Sequence, residues 1–278
     1  VPVIALLLGA LASISPFLGL LLMQTSCRSL LLRTQGKPLN RALLWLVFPV
    51  LLAVFSYRQP DSLVFASDAI FGAGLVTLLY LFTLIKQGKP SVALAQAAIL
   101  VIAYGAVRSF LFAAQLTAAH DQAITELNKL VPQIMQMAET QNNLALMRLL
   151  LPASWTVTQL TALVAGHLIF LHLSGAKSIL RDFTLPAYYN LLILAVLPLY
   201  FFPQLRGVWI NTLLALFVLP LVQGTGVILN WLSRLASNAF VTVLVIALAV
   251  FNLILVALLG FADIWLDFRK LRTKGNYA

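Results

Sequence analysis

The sequence predicts an all-α protein, a polytopic transmembrane helical bundle of seven or eight spans with one amphipathic helical segment on the outer face. Three observations carry that fold class. First, 62% of the residues are hydrophobic and 9% charged, whereas a soluble domain carries about 25% charged residues. Only lipid can solvate so much apolar surface. Second, apolar runs of about 18 or more residues recur along the chain, and about 20 residues at 1.5 Å rise cross the hydrocarbon core. Third, Lys and Arg gather in short loops between those runs, where they set orientation against the membrane.

The runs at 3–24, 63–85, 92–114, 152–173, 207–232 and 239–262 read as spans. The first lacks a basic leader and is too long for a signal sequence, so it reads as a retained span. Two shorter runs, 42–57 and 187–203, contain Pro49 and Pro198 and read as tilted, broken or re-entrant pieces. The loops with Arg28, Arg33, Lys37 and Arg41, with Lys86 and Lys89, and with Lys177 and Arg181 alternate correctly for a cytoplasmic placement. The tail, with Arg269, Lys270, Arg272 and Lys274, has the same character. Eight full crossings would leave that tail outside with the N-terminus. If 187–203 does not cross, the tail becomes cytoplasmic, and the charge count leans that way.

Residues 116–150 differ from the rest. Ile124, Leu127, Val131 and Ile134 recur at helical spacing opposite Asp121, Glu126, Lys129 and Glu139. This stretch is too polar to cross and reads as an outer amphipathic helix with a break near Pro132. Met135, Met137 and Met147 suit an adaptable contact surface there. Residues 1–278 form a single integral membrane domain, of which this segment is an extramembrane insertion.

Asp68 and Arg108 are the clearest polar signal. Their spans flank a loop centred on Gly88, midway between the two, so an antiparallel hairpin would hold both charges at equal depth. An unpaired charge there would be costly, so pairing is expected. Gly72, Gly74 and Gly105 would allow close approach of the backbones. With Tyr104, the pair either lines a solute pocket or pins the hairpin. A second candidate is a polar cluster of Gln223, Asn230 and Asn211, which with Asn252 needs partners on other helices or in a cavity. A third is a docking tail of Asp263, Trp265, Asp267 and Arg269, with Trp265 at headgroup level. Ala5, Gly9 and Ser13 form a stripe of small residues, suited to packing within this bundle or against a separate subunit.

His167 and His172 lie about 140° apart round a helix, which does not suit a shared metal. The single cysteine, Cys27, precludes an internal disulfide. No hydrolase order, zinc motif or phosphate loop is present, so neither an enzyme nor a cofactor is expected. The net charge of +10 reads as membrane orientation rather than nucleic-acid binding.

The order of the second half carries a resemblance. A polar outer segment precedes the span and basic loop ending "LHLSGAKSILRDFTLP" (171–186), then "LVQGTGVILNWL" (221–232) and the tail "GFADIWLDFRKLR" (260–272). This order resembles the YybS-like family of bacterial inner-membrane proteins, which is distantly similar to the substrate-binding S components of energy-coupling-factor vitamin transporters. The resemblance implies a helical bundle that binds a small solute, a separate ATPase module, and a coupling subunit that contacts small residues of the first span. Two function classes follow: a non-catalytic solute-binding subunit of a transporter, or a membrane scaffold or assembly partner in a cell-envelope complex. The partners implied are membrane lipid, other membrane or envelope subunits, and a small solute.

Overall fold

The computed structural model describes residues 2–33, 38–55, 60–135, 138–177, 179–235 and 239–271. Every regular element among them is helical. Five stretches are long and apolar enough to cross a membrane: Pro38–Phe55, Ser62–Gln87, Pro90–Leu111, Thr140–Leu173 and Pro203–Ser233. The chain is a helical membrane protein.

The expected first span, 3–24, is two helices. α1 (Pro2–Ile14) and α2 (Pro16–Arg33) meet at Ser15. A Cβ on Gly19 would lie 2.5 Å from Ala12 Cα, although residues seven apart in a straight helix are separated by about 10.5 Å. The chain therefore turns back sharply at Ser15, with Pro16 opening the new helix, where its missing N–H costs nothing. The shorter run around Pro49 is helical as far as the structure describes it, to Phe55: α3 (Pro38–Ala42), a 3₁₀ turn (Leu43–Leu46) and α4 (Val47–Phe55).

The next span begins as α5 (Pro60–Ser67), passes through a π-helical stretch (Asp68–Leu75) and continues as α6 (Val76–Gln87). Gly88, at φ 66°, caps α6 in the left-handed region, and Pro90 opens α7 (Pro90–Leu111). This closes the hairpin centred on Gly88. Beyond a break at Phe112, α8 (Ala113–Leu130) continues away from the bundle, and Pro132 opens the short α9 (Pro132–Met135) after Val131 leaves helical geometry. The chain returns as α10 (Ala138–Leu173), whose 36 residues include Pro152. No boundary separates the 116–150 segment from the following apolar stretch, because α10 serves both.

The course of the remaining helices follows from side-chain neighbours. α11 (Ala187–Val196) and two 3₁₀ turns (Leu197–Phe201 and Pro203–Leu205) lead into α12 (Arg206–Leu235). Leu185 lies level with Gln223, and the Tyr200 ring is 5.0 Å from that of Trp209. The 187–201 segment thus runs alongside α12 for about 21 Å, at 1.5 Å per residue. The last apolar run, 239–262, is not a single straight helix, and counted as one broken span it would be a sixth crossing. It breaks at Asn252 into α13 (Ala239–Phe251) and α14 (Leu253–Leu266), bent by 98°. α14 runs parallel to α12. Leu253 and Ile254 face the groove beside Leu214 and Val218, Gly260 packs on Pro220, Asp263 meets Gln223, and Phe268 sits 6.2 Å from Trp231. The chain consequently returns after α14 to the end of the bundle that holds Lys177 and Arg181. The 187–201 segment is shorter than the five stretches of spanning length and accompanies only part of the 30-residue α12.

The bundle thus has a basic end, with Arg28, Lys86, Lys89, Lys177, Arg181 and Lys270, and an opposite end from which α8 and the start of α10 project. The core runs between them through α2, α6, α7, α10 and α12. Ala93, Ala97, Ala98 and Val101 form one buried stripe on α7, and Leu160, Leu163 and His167 another on α10. Small residues at such seams allow the close packing on which helix association in lipid depends.

Candidate functional site

Three polar knots lie among the apolar helices, and each is built by a different local device. At the first, the π-helical stretch opens at Asp68. The side chains of Asp68 and Arg108 are 4% and 11% exposed, and Arg108 Nε donates to Asp68 Oδ1 at 2.7 Å. The Tyr104 hydroxyl donates to the same oxygen at 2.8 Å. The Arg108 guanidinium lies 4.8 Å above the Trp155 ring, and Tyr104 meets Trp155 edge-on at 5.4 Å. Gly72 makes room for this: a Cβ there would meet the Trp155 ring at 2.8 Å. The carboxylate is neutralised, hydrogen-bonded and walled by aromatic rings, which satisfies the demands of a buried ion pair.

At the second, Asn211 enters a gap in α10. Pro152 disturbs that helix, as a ring without an N–H must. Asn211 Oδ1 accepts from Ala153 N–H at 2.8 Å, and its Nδ2 donates to the Leu149 carbonyl at 2.9 Å. Leu149 and Ala153 are the two groups that would pair in an unbroken helix.

The third joins four chain segments at the basic end. Asp263 Oδ2 accepts from Arg269 Nη2 at 2.6 Å and Nε at 3.0 Å, and from Gln223 Nε2 at 2.8 Å. Gln223 Oε1 accepts from Leu185 N–H at 2.8 Å, and Arg269 Nη1 donates to the Arg181 carbonyl at 2.7 Å. The Asp263 and Arg269 side chains are 2% and 1% exposed. Gly224 and Gly260 bring α12 and α14 together: a Cβ on Gly224 would meet Val256 and Gly260 backbone, and one on Gly260 would meet Pro220. The left-handed residues Asp267, at φ 46°, and Lys270, at φ 55°, turn the chain so that Arg269 points inward. Leu271 N–H donates to Asp267 Oδ1 at 3.0 Å and secures that turn.

Two groupings drawn from the sequence therefore change. Gln223, Asn230 and Asn211 do not form one cluster. Asn211 serves α10, Gln223 serves α14 and the 174–186 loop, and 12 residues of helix, about 18 Å, separate these two. The buried Nδ2 of Asn230 has no hydrogen-bond partner among the described residues. The tail is not one docking surface either: Asp263 and Arg269 are internal, while Trp265 is 51% exposed. The stripe Ala5, Gly9, Ser13 faces its own bundle, since a Cβ on Gly9 would collide with the Trp45 carbonyl.

Sequence reasoning missed the contact of Tyr80 with His167. The phenol lies 2.9 Å from His167 Nδ1, with Phe170 and Phe183 around the pair. Tyr80 and His167 lie at matching distances from the basic ends of α6 and α10, a signal of the same kind as the symmetry about Gly88. His120 lies apart, in a cleft with Thr117 and Arg148 between α8 and α10. Among the described residues, no three His, Cys, Asp or Glu side chains converge as metal ligands. Met147 is exposed, whereas the side chain of Met135 and all of Met137 lie outside what the structure describes.

The projecting segment contrasts with these knots. α8 contains no buried residue. Leu127, Leu130, Leu146, Met147 and Leu149 are exposed, and an ion pair of Arg148 with Asp121, at 3.2 Å, bridges the two helices. No family model matches the chain, and no curated protein or solved structure matches it either.

Proposed function

We propose that the protein is a non-catalytic membrane scaffold or assembly subunit, which docks a partner through the projecting hairpin formed by α8, α9 and the start of α10. The single observation that carries this reading is the hairpin's exposed apolar surface. Leu127 and Leu130 lie beyond the apolar spans, and Leu146 and Met147 lie in the first turns of the 34-residue stretch 140–173, which at 1.5 Å per residue exceeds the hydrocarbon core by about 20 Å, so that its start projects with α8. In this reading the basic end faces the cytoplasm of a bacterial inner membrane and the hairpin the outer side. The segments 38–55, 62–87, 90–111, 187–201 and 203–233 and the part of 140–173 beyond its first turns traverse the bilayer, and the final pair α13–α14 enters and returns on the cytoplasmic side.

The solute-binding reading, suggested by the YybS-like resemblance, asks Asp68 or Arg108 to face a polar pocket. The closed arrangement of that pair favours the scaffold instead. So does the internal packing of Gly9, which occupies the stripe that a coupling subunit would use.

The test is site-specific photo-crosslinking in cells. A photoreactive residue at Leu127 or Leu146 is expected to give one discrete protein adduct, and the same partner should co-purify with wild type. Leu127→Lys with Leu146→Lys should abolish that co-purification while leaving membrane insertion intact. No adduct at either position, together with a bound small solute lost in Asp68→Asn, would overturn the scaffold reading in favour of the transport one.

A further inference from the structure

The basic end carries a groove of about 580 Å³ between the last turns of α10 and α12 and the loop that follows α10. We infer that this groove is a binding site for an anionic phospholipid, with the headgroup phosphate held by Lys177 and Arg181 and an acyl chain lying against Leu168, Ile169 and Leu229. The argument rests on how chemistry changes with depth. Leu168 and Ile169 lie about one turn deeper than His172 on α10, and Leu229 one turn deeper than Ser233 on α12, or about 6 Å in each case. All of these side chains line the groove, as do Lys177 and Arg181. Toward the bundle its wall is wholly apolar, while toward the end Lys177, Arg181 and the Ser233 hydroxyl stand among Ala176, Ile179 and Leu180 of the loop, so that every cation lies at the headgroup side, as a phospholipid requires.

The loop that carries the two cations is held in place. Ala176 N–H donates to the Leu171 carbonyl at 3.1 Å and Gly175 N–H to that of His172 at 3.0 Å. This pattern closes the helix with Gly175 in the left-handed region at φ 86°. Farther on, Arg269 holds the Arg181 carbonyl and Gln223 holds Leu185 N–H. The cations thus sit on a framework fixed at both ends, with less ordering left for binding to require. A free phosphate would leave the apolar half of the groove unused, whereas basic pockets between transmembrane helices suit acidic lipid headgroups.

The experiment measures thermal unfolding of the purified protein in neutral detergent while dioleoyl phosphatidylglycerol, dioleoyl phosphatidylcholine or inorganic phosphate is added. Phosphatidylglycerol is expected to stabilise wild type in a saturable way, and the other two are not. Lys177→Gln with Arg181→Gln should raise the lipid needed for half the effect about thirtyfold, as for two surface cations. Leu229→Trp, which fills the groove but keeps both cations, should also remove the effect, and its melting in phosphatidylcholine reports whether it still folds. Ile169→Trp serves in its place if it does not. Lys86→Gln with Lys89→Gln, on the neighbouring loop, should leave the response unchanged. Equal responses in wild type and the Lys177/Arg181 variant, equal loss in the Lys86/Lys89 variant, or equal stabilisation by phosphate would each overturn the site.

Discussion

Asn211 restores, from another helix, the hydrogen bonding that Pro152 disrupts in α10. Its amide lies between the Leu149 carbonyl and the Ala153 N–H, with one bond to each at 2.9 and 2.8 Å. In lipid no water is at hand to satisfy backbone groups freed by a proline, so a side chain must do it. Asn211→Leu leaves both groups without partners, at about 1–3 kcal/mol each. The thermal midpoint in detergent should fall accordingly. In a Pro152→Ala background α10 can close its own ladder, and Asn211→Leu should then cost less than about 1 kcal/mol. Equal losses in the two backgrounds would show that Asn211 acts elsewhere.

The Asp68–Arg108 pair predicts a different pattern. Removing one partner of a buried pair strands the other, at about 3–5 kcal/mol. Asp68→Asn and Arg108→Gln should each lower the melting temperature, and the double variant should recover much of the loss. Arg108 also stacks on Trp155, so recovery will be incomplete. Unchanged melting in both single variants would mean that the pair carries no structural weight.

Arg269 is specific as an arginine. It donates through Nε and Nη2 to Asp263 and through Nη1 to the Arg181 carbonyl. A lysine ammonium is a compact point charge that cannot reproduce this planar fork. Arg269→Lys should therefore approach Arg269→Ala in its effect, releasing the tail and making the basic end more susceptible to limited proteolysis. Protection equal to wild type in the lysine variant would reduce the contact to simple charge neutralisation.

The contacts readable in advance were those that depend on local register. The turn at Gly88 places Asp68 and Arg108 at one depth, because both belong to helices of a single hairpin. Tyr80 and His167 escaped because α6 and α10 are not joined by a short turn, so their matching distances from the basic ends become a signal only once the two helices are known to be neighbours. Asp263 resembled a surface carboxylate because it stands beside a basic tail. Its burial depends on the left-handed turns at Asp267 and Lys270, which reverse the chain where helix propensity alone would let it continue. The breaks at Ser15 and Asn252 interrupt runs whose hydropathy is uniform. Pro16 was a visible cue for the first, and Asn252 alone gave little warning of the second.

In the proposed topology the tail shares one face of the membrane with the basic loops while the hairpin occupies the other. Cysteine labelling tests it directly, since Cys27 is fully buried and provides a quiet background. Single cysteines at Gln133, Lys89 and Lys270 would be exposed to a membrane-impermeant maleimide in intact cells and again after permeabilisation. Gln133→Cys should be labelled in intact cells, and Lys89→Cys and Lys270→Cys only after permeabilisation. Labelling of Lys270→Cys together with Gln133→Cys in intact cells would contradict the returning final helix and, with it, the arrangement proposed for the whole protein.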